Sequence, residues 1–248
     1  MGRVVLVTGG GRGIGAATAR LLAKNGYDVA VNYQSNRAAV SNVVREIGQM
    51  GRKAIAIQGD VAKEADVERM FRAIDEHMGP LYGLVNNAGI TGLIGRVEDV
   101  TAETIQSVMD VNVVGSLLCA REAIKRMSTK HGGKGGVIVN ISSVVTTLGS
   151  PNTYVWYAAA KGAVDAMTLG LGLEVAREGI RVVGVAPGLT DTELHAAGGQ
   201  PGRAHKIASV VPMGRPGKPE EIAEAIVWML SDAAGYCVGS TLRVGGGR

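Results

Sequence analysis

Tyr157 and Lys161, four positions apart, are the side chains in this sequence best suited to acid–base chemistry. They lie in a stretch with helical spacing, and residues four apart on a helix share a face, so the phenol and the ammonium are expected side by side. A nearby cation favours the phenolate and lowers a tyrosine pKa from its usual value of about 10. Tyr157 is therefore a candidate general acid and base for interconverting a carbonyl and an alcohol.

Two serines, Ser142 and Ser143, close a predicted strand at Gly136–Ser142. Ligands bind at the carboxyl ends of strands in open parallel sheets, where a hydroxyl can hydrogen-bond a substrate oxygen as charge develops on it. Successive strand residues point to opposite faces, so the sequence leaves open which serine serves. A serine at a strand end also commonly does no more than cap a turn.

A glycine-rich turn, Thr8–Gly15, separates the first predicted strand from a helix. Glycines let the backbone bend tightly and approach a pyrophosphate, and the helix N-terminus offers free N–H groups and the positive end of a dipole. Strand, glycine turn and helix in this order predict a nucleotide-binding site.

The second strand ends in Asn32-Tyr33-Gln34-Ser35-Asn36-Arg37, without the acid that grips the ribose 2′-hydroxyl of NAD. Arg12 and Arg37 could instead pair with a 2′-phosphate through charge-assisted hydrogen bonds. The pattern favours NADP(H) over NAD(H), although both arginines could also simply face solvent.

Strand and helix signals alternate along the chain and predict an α/β fold with a doubly wound sheet of seven mainly parallel strands, flanked by helices on both faces. One domain is expected over 1–248, with a substrate loop or lid at about 189–215. The predicted strands are Arg3–Thr8, Asp28–Asn32, Lys53–Gln58, Tyr82–Asn86, Gly136–Ser142, Arg181–Ala186 and Thr241–Val244. The predicted helices are 14–24, 36–50, 64–78, 102–129, 153–178 and 218–231.

Composition argues against several classes of partner. Lys and Arg number 26 against 22 Asp and Glu, for a net charge of +4, but the cations are dispersed, so neither nucleic acid nor a membrane surface is an expected partner. The uncharged stretch 135–160 is too rich in Gly, Ser, Thr and Asn for a bilayer span. Two distant cysteines predict no metal site and fit a reducing compartment. With no signal-like apolar segment at the start, we expect a cytoplasmic protein.

Taken together, the motifs resemble those of the short-chain dehydrogenase/reductase family over essentially the whole chain, which implies a Rossmann-type single domain. The motifs that carry this resemblance are Thr8–Gly15, Asp60-Val61, Asn86–Gly89, Asn112, Ser143, Tyr157 with Lys161, and Pro187-Gly188. Thr190, where the family usually has an apolar residue, and Gly245, where relatives often carry Asp, depart from its pattern.

The resemblance implies a role for each of these residues. Tyr157 would exchange the proton, Lys161 would hold the nicotinamide ribose, Ser143 would orient the carbonyl and Asn112 would anchor a water in a proton relay. The implied cofactor contacts are Gly9, Gly11, Arg12, Gly13, Ile14, Gly15, Asn32, Tyr33, Ser35, Arg37, Asp60, Val61, Asn87, Ala88, Gly89, Tyr157, Lys161, Pro187, Gly188, Thr190 and Thr192.

The expected function is reduction of a small carbonyl, reversible as alcohol oxidation. The chain is similar both to 3-oxoacyl carrier-protein reductases and to glucose dehydrogenases of the family, and the sequence does not decide between them. The pocket rim is expected at Thr91–Gly95, Ser150–Val155 and 189–215. A non-catalytic NADP(H)-sensing regulator is the alternative from another class. The resemblance also implies a homotetramer built through the helices at 102–129 and 153–178.

Overall fold

Seven short apolar runs form the strands of one parallel sheet in the computed structural model, which describes residues 2–248 apart from the side chain of His195. The strand order is β3-β2-β1-β4-β5-β6-β7, and every neighbouring pair is parallel. The predicted doubly wound α/β fold is therefore confirmed, with no antiparallel strand among those described. The strands are β1 Val4–Val7, β2 Asp28–Tyr33, β3 Ala54–Gln58, β4 Leu81–Asn86, β5 Gly136–Ile141, β6 Ile180–Pro187 and β7 Thr241–Val244.

The helices cover both faces of this sheet. They are α1 Gly13–Lys24, α2 Arg37–Gln49, α3 Glu64–His77, α4 Ala102–Met109, α5 Gly115–Met127, α6 Val145–Leu148, α7 Val155–Val175, α8 Leu194–Ala197, α9 Arg203–Lys206 and α10 Pro219–Leu230. The single helix predicted over 102–129 is instead α4 and α5 joined by one wider π-helical turn, Asp110–Val114. Such turns commonly occur at functional sites, where they redirect a side chain.

Two hydrophobic cores lie on opposite faces of the sheet. Along β1, Val5 and Val7 pack into the core that contains α1, α2 and α10, whereas Val4 and Leu6 pack into the core that contains α3 and α5. Adjacent strand residues point to opposite faces, so a strand covered on both sides must be apolar throughout. This explains why β1 reads as a continuous apolar run.

One polar network interrupts the apolar centre of the sheet. The Asn86 amide donates to the side-chain oxygen of Asn140 at 2.9 Å and to the Ser116 carbonyl at 3.1 Å. Asn140 in turn donates to the Thr168 hydroxyl at 3.0 Å. The network ties β4 and β5 to α5 and α7, and α7 carries Tyr157 and Lys161.

In the predicted lid, the chain forms the two short helices α8 and α9, separated by turns. Among the described residues, none of the helices combines the length and apolar character needed to cross a bilayer.

Candidate active site

The carboxyl ends of the strands open onto a cleft of about 1080 Å³. The cleft lies where strand order reverses between β1 and β4, the usual ligand position in open α/β sheets. It runs from the end of β2, past the centre of the sheet, to the lid. The predicted site residues that line it are Gly9, Gly11, Arg12, Gly13, Ile14, Gly15, Asn32, Tyr33, Ser35, Asp60, Val61, Asn87, Ala88, Gly89, Ser143, Tyr157, Lys161, Pro187, Gly188, Thr190 and Thr192.

The glycine turn forms a backbone cradle at one end of this cleft. Gly9 and Gly13 have positive φ angles of 61° and 50°. A methyl group on Gly15 would come within 2.5 Å of the Asn87 side-chain nitrogen and of the Gly9 carbonyl oxygen. The first turn of α1 holds no acidic residue and has no side-chain cap. This cradle fits a pyrophosphate, because the backbone can approach closely and the helix dipole favours an anion.

Two asparagines hold the glycine turn in place. The Asn32 oxygen accepts from the Gly9 N–H at 3.2 Å, while its nitrogen donates to the Gly59 carbonyl at 2.9 Å. The Asn87 nitrogen donates to the carbonyls of Thr8 at 2.8 Å and Gly9 at 3.1 Å. Asn32, expected as a cofactor contact, therefore has its side chain engaged within the protein and positions the turn.

The two arginines expected at the ribose end differ in position. Arg12 lines the cleft from the turn before α1. Arg37 is exposed and does not line the cleft. It is the first residue of α2, which Asn36 caps by accepting from the Ala39 N–H at 3.0 Å. Of the two arginines, only Arg12 lines the described cleft, together with Ser35 and Asn36.

Tyr157, Lys161 and Ser143 meet at the centre of the cleft. The Lys161 nitrogen lies 5.6 Å from the centroid of the Tyr157 ring and donates to the Ile141 carbonyl at 2.7 Å. Tyr154 packs edge-on against Tyr157, with 5.5 Å between ring centroids. The Ser143 hydroxyl lies on the Tyr157 side of the cleft, where it partly opposes the rise of the Tyr157 pKa, and it accepts from the Val145 N–H at 3.3 Å. The Ser142 hydroxyl is buried without a partner among the described residues. The geometry thus places Ser143 beside the phenol.

Burial dominates the electrostatics of this group. It raises the pKa of Tyr157 above its usual value, and the neighbouring Tyr154 adds to the rise. Burial lowers the pKa of Lys161 to about 8, and Asp165 only partly opposes it. The expected lowering of the Tyr157 pKa is therefore wrong for the polypeptide alone, because the loss of hydration disfavours the phenolate more than its neighbours favour it.

Asn112 lies behind the cleft, in the π-helical turn between α4 and α5, and is fully buried. Its nitrogen donates to the carbonyls of Ile90 and Val108, both at 2.8 Å. Its side-chain oxygen has no partner among the described residues and lies against Gly89, where an added methyl group would approach it to 2.7 Å. A buried acceptor therefore faces the Lys161 side of the site.

The start of the predicted lid covers the glycine turn. Thr192 lies against Gly13, where an added methyl group would meet its side chain at 3.3 Å. Thr190 is buried and donates its hydroxyl to the Gly188 carbonyl at 3.0 Å, so this departure from the family pattern is accommodated within the loop.

Other residues that line the cleft lie partly within the expected rim segments Thr91–Gly95, Ser150–Val155 and 189–215 and partly outside them. Glu193 and Arg203 line the cleft from the predicted lid, whereas Arg248 lines it from the tail, where no local pattern identifies it. Ile90 could have been suspected from its position directly after Asn87-Ala88-Gly89. Further residues that line the cleft are Gln34, Asn36, Ala39, Gly59, Ala62, Lys63, Thr91, Ser107, Asp110, Val111, Val144, Val145, Leu148, Ser150, Pro151, Thr153, Tyr154, Leu189, Leu194, Ile207 and Val210.

The sheet order, the glycine cradle and the tyrosine–lysine pair define a Rossmann-type, nucleotide-binding oxidoreductase. Comparison with known proteins agrees: the family model described as enoyl-(acyl carrier protein) reductase matches residues 9–248. The chain belongs to the short-chain dehydrogenase/reductase family, as the sequence motifs predicted.

Relatives span nearly the whole chain. It is 56% identical to the uncharacterized oxidoreductase YgfF of Escherichia coli, over 99% of each chain. It is 38% identical to glucose 1-dehydrogenase 2 of Bacillus subtilis, over 99% of this chain and 94% of the relative.

Solved structures share the fold closely. A 3-ketoacyl-(acyl-carrier-protein) reductase from Brucella melitensis, complexed with NADH, superposes with a TM-score of 0.91 at 35% identity, covering 100% of this chain and 98% of the other. A short-chain dehydrogenase from Burkholderia cenocepacia in complex with NADP gives the same TM-score at 34% identity, with the same coverage.

Proposed function

We propose that this protein is an NADP(H)-dependent reductase that interconverts a carbonyl and a secondary alcohol, with Tyr157 as general acid and base. The observation that carries the proposal is the Tyr157 phenol, buried in the cleft that Ser143 also lines, with the Lys161 ammonium 5.6 Å from its ring centroid. A 3-oxoacyl or other small carbonyl compound is the proposed substrate class.

A dinucleotide held by the glycine turn would supply the hydride for the carbonyl carbon. Ser143 and Tyr157 orient the carbonyl oxygen by hydrogen bonding, and Tyr157 gives its proton to that oxygen. The Lys161 ammonium stabilises the phenolate that this step leaves. The free oxygen of Asn112 is suited to hold a water that returns a proton toward Lys161. Alcohol oxidation uses the same groups in the reverse sense.

The proposed preference for NADP(H) is supported by the charge at the ribose end. No acid follows β2 to hold a ribose 2′-hydroxyl, and Arg12 lines the cleft there. Arg37 is exposed on the adjacent helix end, and we assign it at most a supporting role. A guanidinium matches the geometry of a phosphate and discriminates it from a hydroxyl.

We also propose that the protein is a homotetramer. Leu117 on α5 and Leu169 and Leu173 on α7 are large apolar side chains, yet they are 43%, 51% and 72% exposed. These are the helices expected to form the subunit contact, and exposed apolar patches mark interfaces.

Both cysteines are free, which fits the cytoplasmic location expected from the sequence.

A sugar dehydrogenase is the second candidate. The rim residues Ser150 and Thr153 are small and polar, and they line the cleft beside Tyr154. Hydroxyl-rich substrates suit such a rim better than long acyl chains do, and a glucose dehydrogenase is among the relatives.

The test measures loss of NADPH absorbance with a panel of acetoacetyl thioesters, α-diketones, aldehydes and keto sugars. Tyr157→Phe is expected to lower turnover of any active compound by about 10²- to 10⁴-fold, because it removes the proton donor. Tyr236→Phe, which changes a fully exposed tyrosine, is the matched control and should leave turnover unchanged. Full turnover by Tyr157→Phe would contradict the proposal. NADPH binding without turnover of any compound would favour the sensing role.

A further inference from the structure

Two arginines that line the cleft have no assigned task in the proposed reaction. Arg203 begins α9 in the lid, and Arg248 lies in the tail after β7. The Arg203 Nε is buried and has no hydrogen-bond partner among the described residues. Neither guanidinium pairs with a side-chain carboxylate in the described part of the chain. A buried guanidinium N–H that lacks an acceptor is unusual, because its desolvation is not compensated.

The tail places Arg248 on the Ser143 side of the cleft. A methyl group on Gly188 would come within 2.6 Å of the Gly245 Cα, so the tail packs directly on the end of β6. A methyl group on Gly245 would in turn approach the Val144 side chain to 3.0 Å. Val144 directly follows Ser143, which orients the carbonyl in the proposed reaction.

The lid carries Arg203 to the rim of the cleft. The lid begins over the glycine turn, where Thr192 contacts Gly13, and then crosses the cleft. Beyond that crossing, the Gly198 carbonyl accepts from the Ile94 N–H at 3.4 Å. Arg203 follows this contact with the rim. The lid and the tail are also joined, since the Met213 N–H donates to the Gly246 carbonyl at 3.2 Å.

We propose that Arg203, assisted by Arg248, binds an oxyanion carried by the carbonyl substrate, a carboxylate above all. This inference rests on the proposed reductase function and narrows its substrate class to oxo acids and related anionic carbonyl compounds. The planar guanidinium donates two parallel hydrogen bonds to a carboxylate, which gives both orientation and affinity. The other rim is uncharged at Ser150, Thr153 and Tyr154, so it has no comparable anchor for an anion.

The binding arrangement also sets the substrate's direction in the cleft. The anionic end lies toward the lid and the tail, and the carbonyl lies toward Tyr157 and Ser143. A phosphate on the substrate would accept hydrogen bonds from the same donors. The experiment therefore uses one carboxylate and one phosphate compound, each compared with its neutral counterpart.

The experiment compares kcat/KM for acetoacetate with its neutral methyl ester, and for dihydroxyacetone phosphate with dihydroxyacetone. In Arg203→Gln, kcat/KM for the anionic member of the preferred pair should fall by about 10- to 100-fold, mainly through KM, with less than about a threefold change for the neutral member. Arg248→Gln should shift the same ratio in the same direction by a smaller factor. Arg177→Gln removes an equal charge from an exposed helix end and should change neither.

A second variant and a second measurement distinguish lost substrate binding from a folding defect. Arg203→Lys keeps the charge but loses the two-pronged geometry, so its loss for the anionic substrate should be intermediate. Protection of the NADP⁺-bound wild-type enzyme from heat by acetoacetate, reduced in Arg203→Gln, gives a readout that does not depend on turnover.

Three outcomes would overturn this inference. They are equal losses for charged and neutral substrates, a weaker Kd for NADPH in Arg203→Gln, and a wild-type enzyme whose Tyr157-dependent activity is confined to neutral carbonyls. The last of these would leave the proposed reductase function standing. The absence of any Tyr157-dependent turnover would instead overturn the reductase function itself.

Discussion

Asn112 and Lys161 converge on one side of Gly89, although they come from different helical segments. A methyl group added at Gly89 would lie 2.7 Å from the Asn112 side-chain oxygen and 3.6 Å from the Lys161 nitrogen. Two hydrogen bonds to the carbonyls of Ile90 and Val108 fix the amide, so its free oxygen is held toward the lysine. Because Gly89 has no side chain, the Asn112 oxygen and the Lys161 nitrogen can both lie close to its backbone.

Gly89→Ala should therefore impair catalysis. Its methyl group would displace the Asn112 oxygen, and small displacements near reacting groups cost about 10²-fold in rate. We expect a fall of that order in kcat, measured with the best substrate of the panel. The matched control is Gly48→Ala in α2, where no atom lies near the added methyl group. That variant should keep full activity and gain about 0.5–1 kcal/mol in free energy of unfolding, because alanine favours a helix. Wild-type turnover by Gly89→Ala would show that this approach is not needed.

The adjacent serines provide a second comparison. Ser143→Ala removes the hydroxyl beside Tyr157, and we expect kcat/KM to fall by about 10- to 100-fold, as when one oriented donor is lost. Ser142→Ala removes a buried hydroxyl without a partner among the described residues, so activity and stability should change little. Steady-state kinetics and urea unfolding of both variants measure these effects. The reverse ranking of the two variants would assign the role to Ser142.

Burial of Lys161 predicts a distinctive dependence of stability on pH. Its pKa in the folded protein is about 8, below the usual lysine value of about 10.4. Between these two values the unfolded chain binds more protons than the folded protein, so this group makes stability rise with pH. Below about pH 8 the lysine is charged in both states and its burial lowers stability.

The measurement is urea unfolding of wild type and Lys161→Met at about pH 7 and about pH 10. The free energy of unfolding of wild type relative to the variant should increase by about 2 kcal/mol over this interval. Other titrating groups are common to both proteins and cancel in the difference. If the difference in free energy of unfolding between the two proteins does not change with pH, burial does not disfavour the charged form of Lys161.

Cofactor preference tests the ribose end of the cleft. Arg12→Ala should weaken NADPH binding by about tenfold or more while changing NADH binding less than about twofold, because only NADPH carries the 2′-phosphate. Arg37→Ala should have a smaller effect, since Arg37 does not line the cleft. Fluorescence titration of both cofactors against both single variants and the double variant gives six dissociation constants, to be compared with those of wild type. Equal losses for NADPH and NADH would refute a phosphate contact by Arg12.

The amino-acid sequence by itself determined the fold and the principal chemistry. Strands buried on both faces must be apolar throughout, a glycine turn must precede a phosphate-binding helix, and Tyr157 and Lys161 must share a helical face. Each of these signals is local, spanning fewer than about ten residues, and so it can be read without knowing what packs against it.

Only the tertiary structure decided the relationships between distant segments. It placed Ser143 rather than Ser142 beside Tyr157, because the exit of β5 and the start of α7 meet there. It left Arg37 exposed at the start of α2, outside the cleft, and it raised the Tyr157 pKa by burying the ring. It also brought Arg203 and Arg248 into the cleft from a lid and a tail far apart in sequence. Exposure, desolvation and long-range contact depend on how the whole chain packs, and no short pattern encodes them.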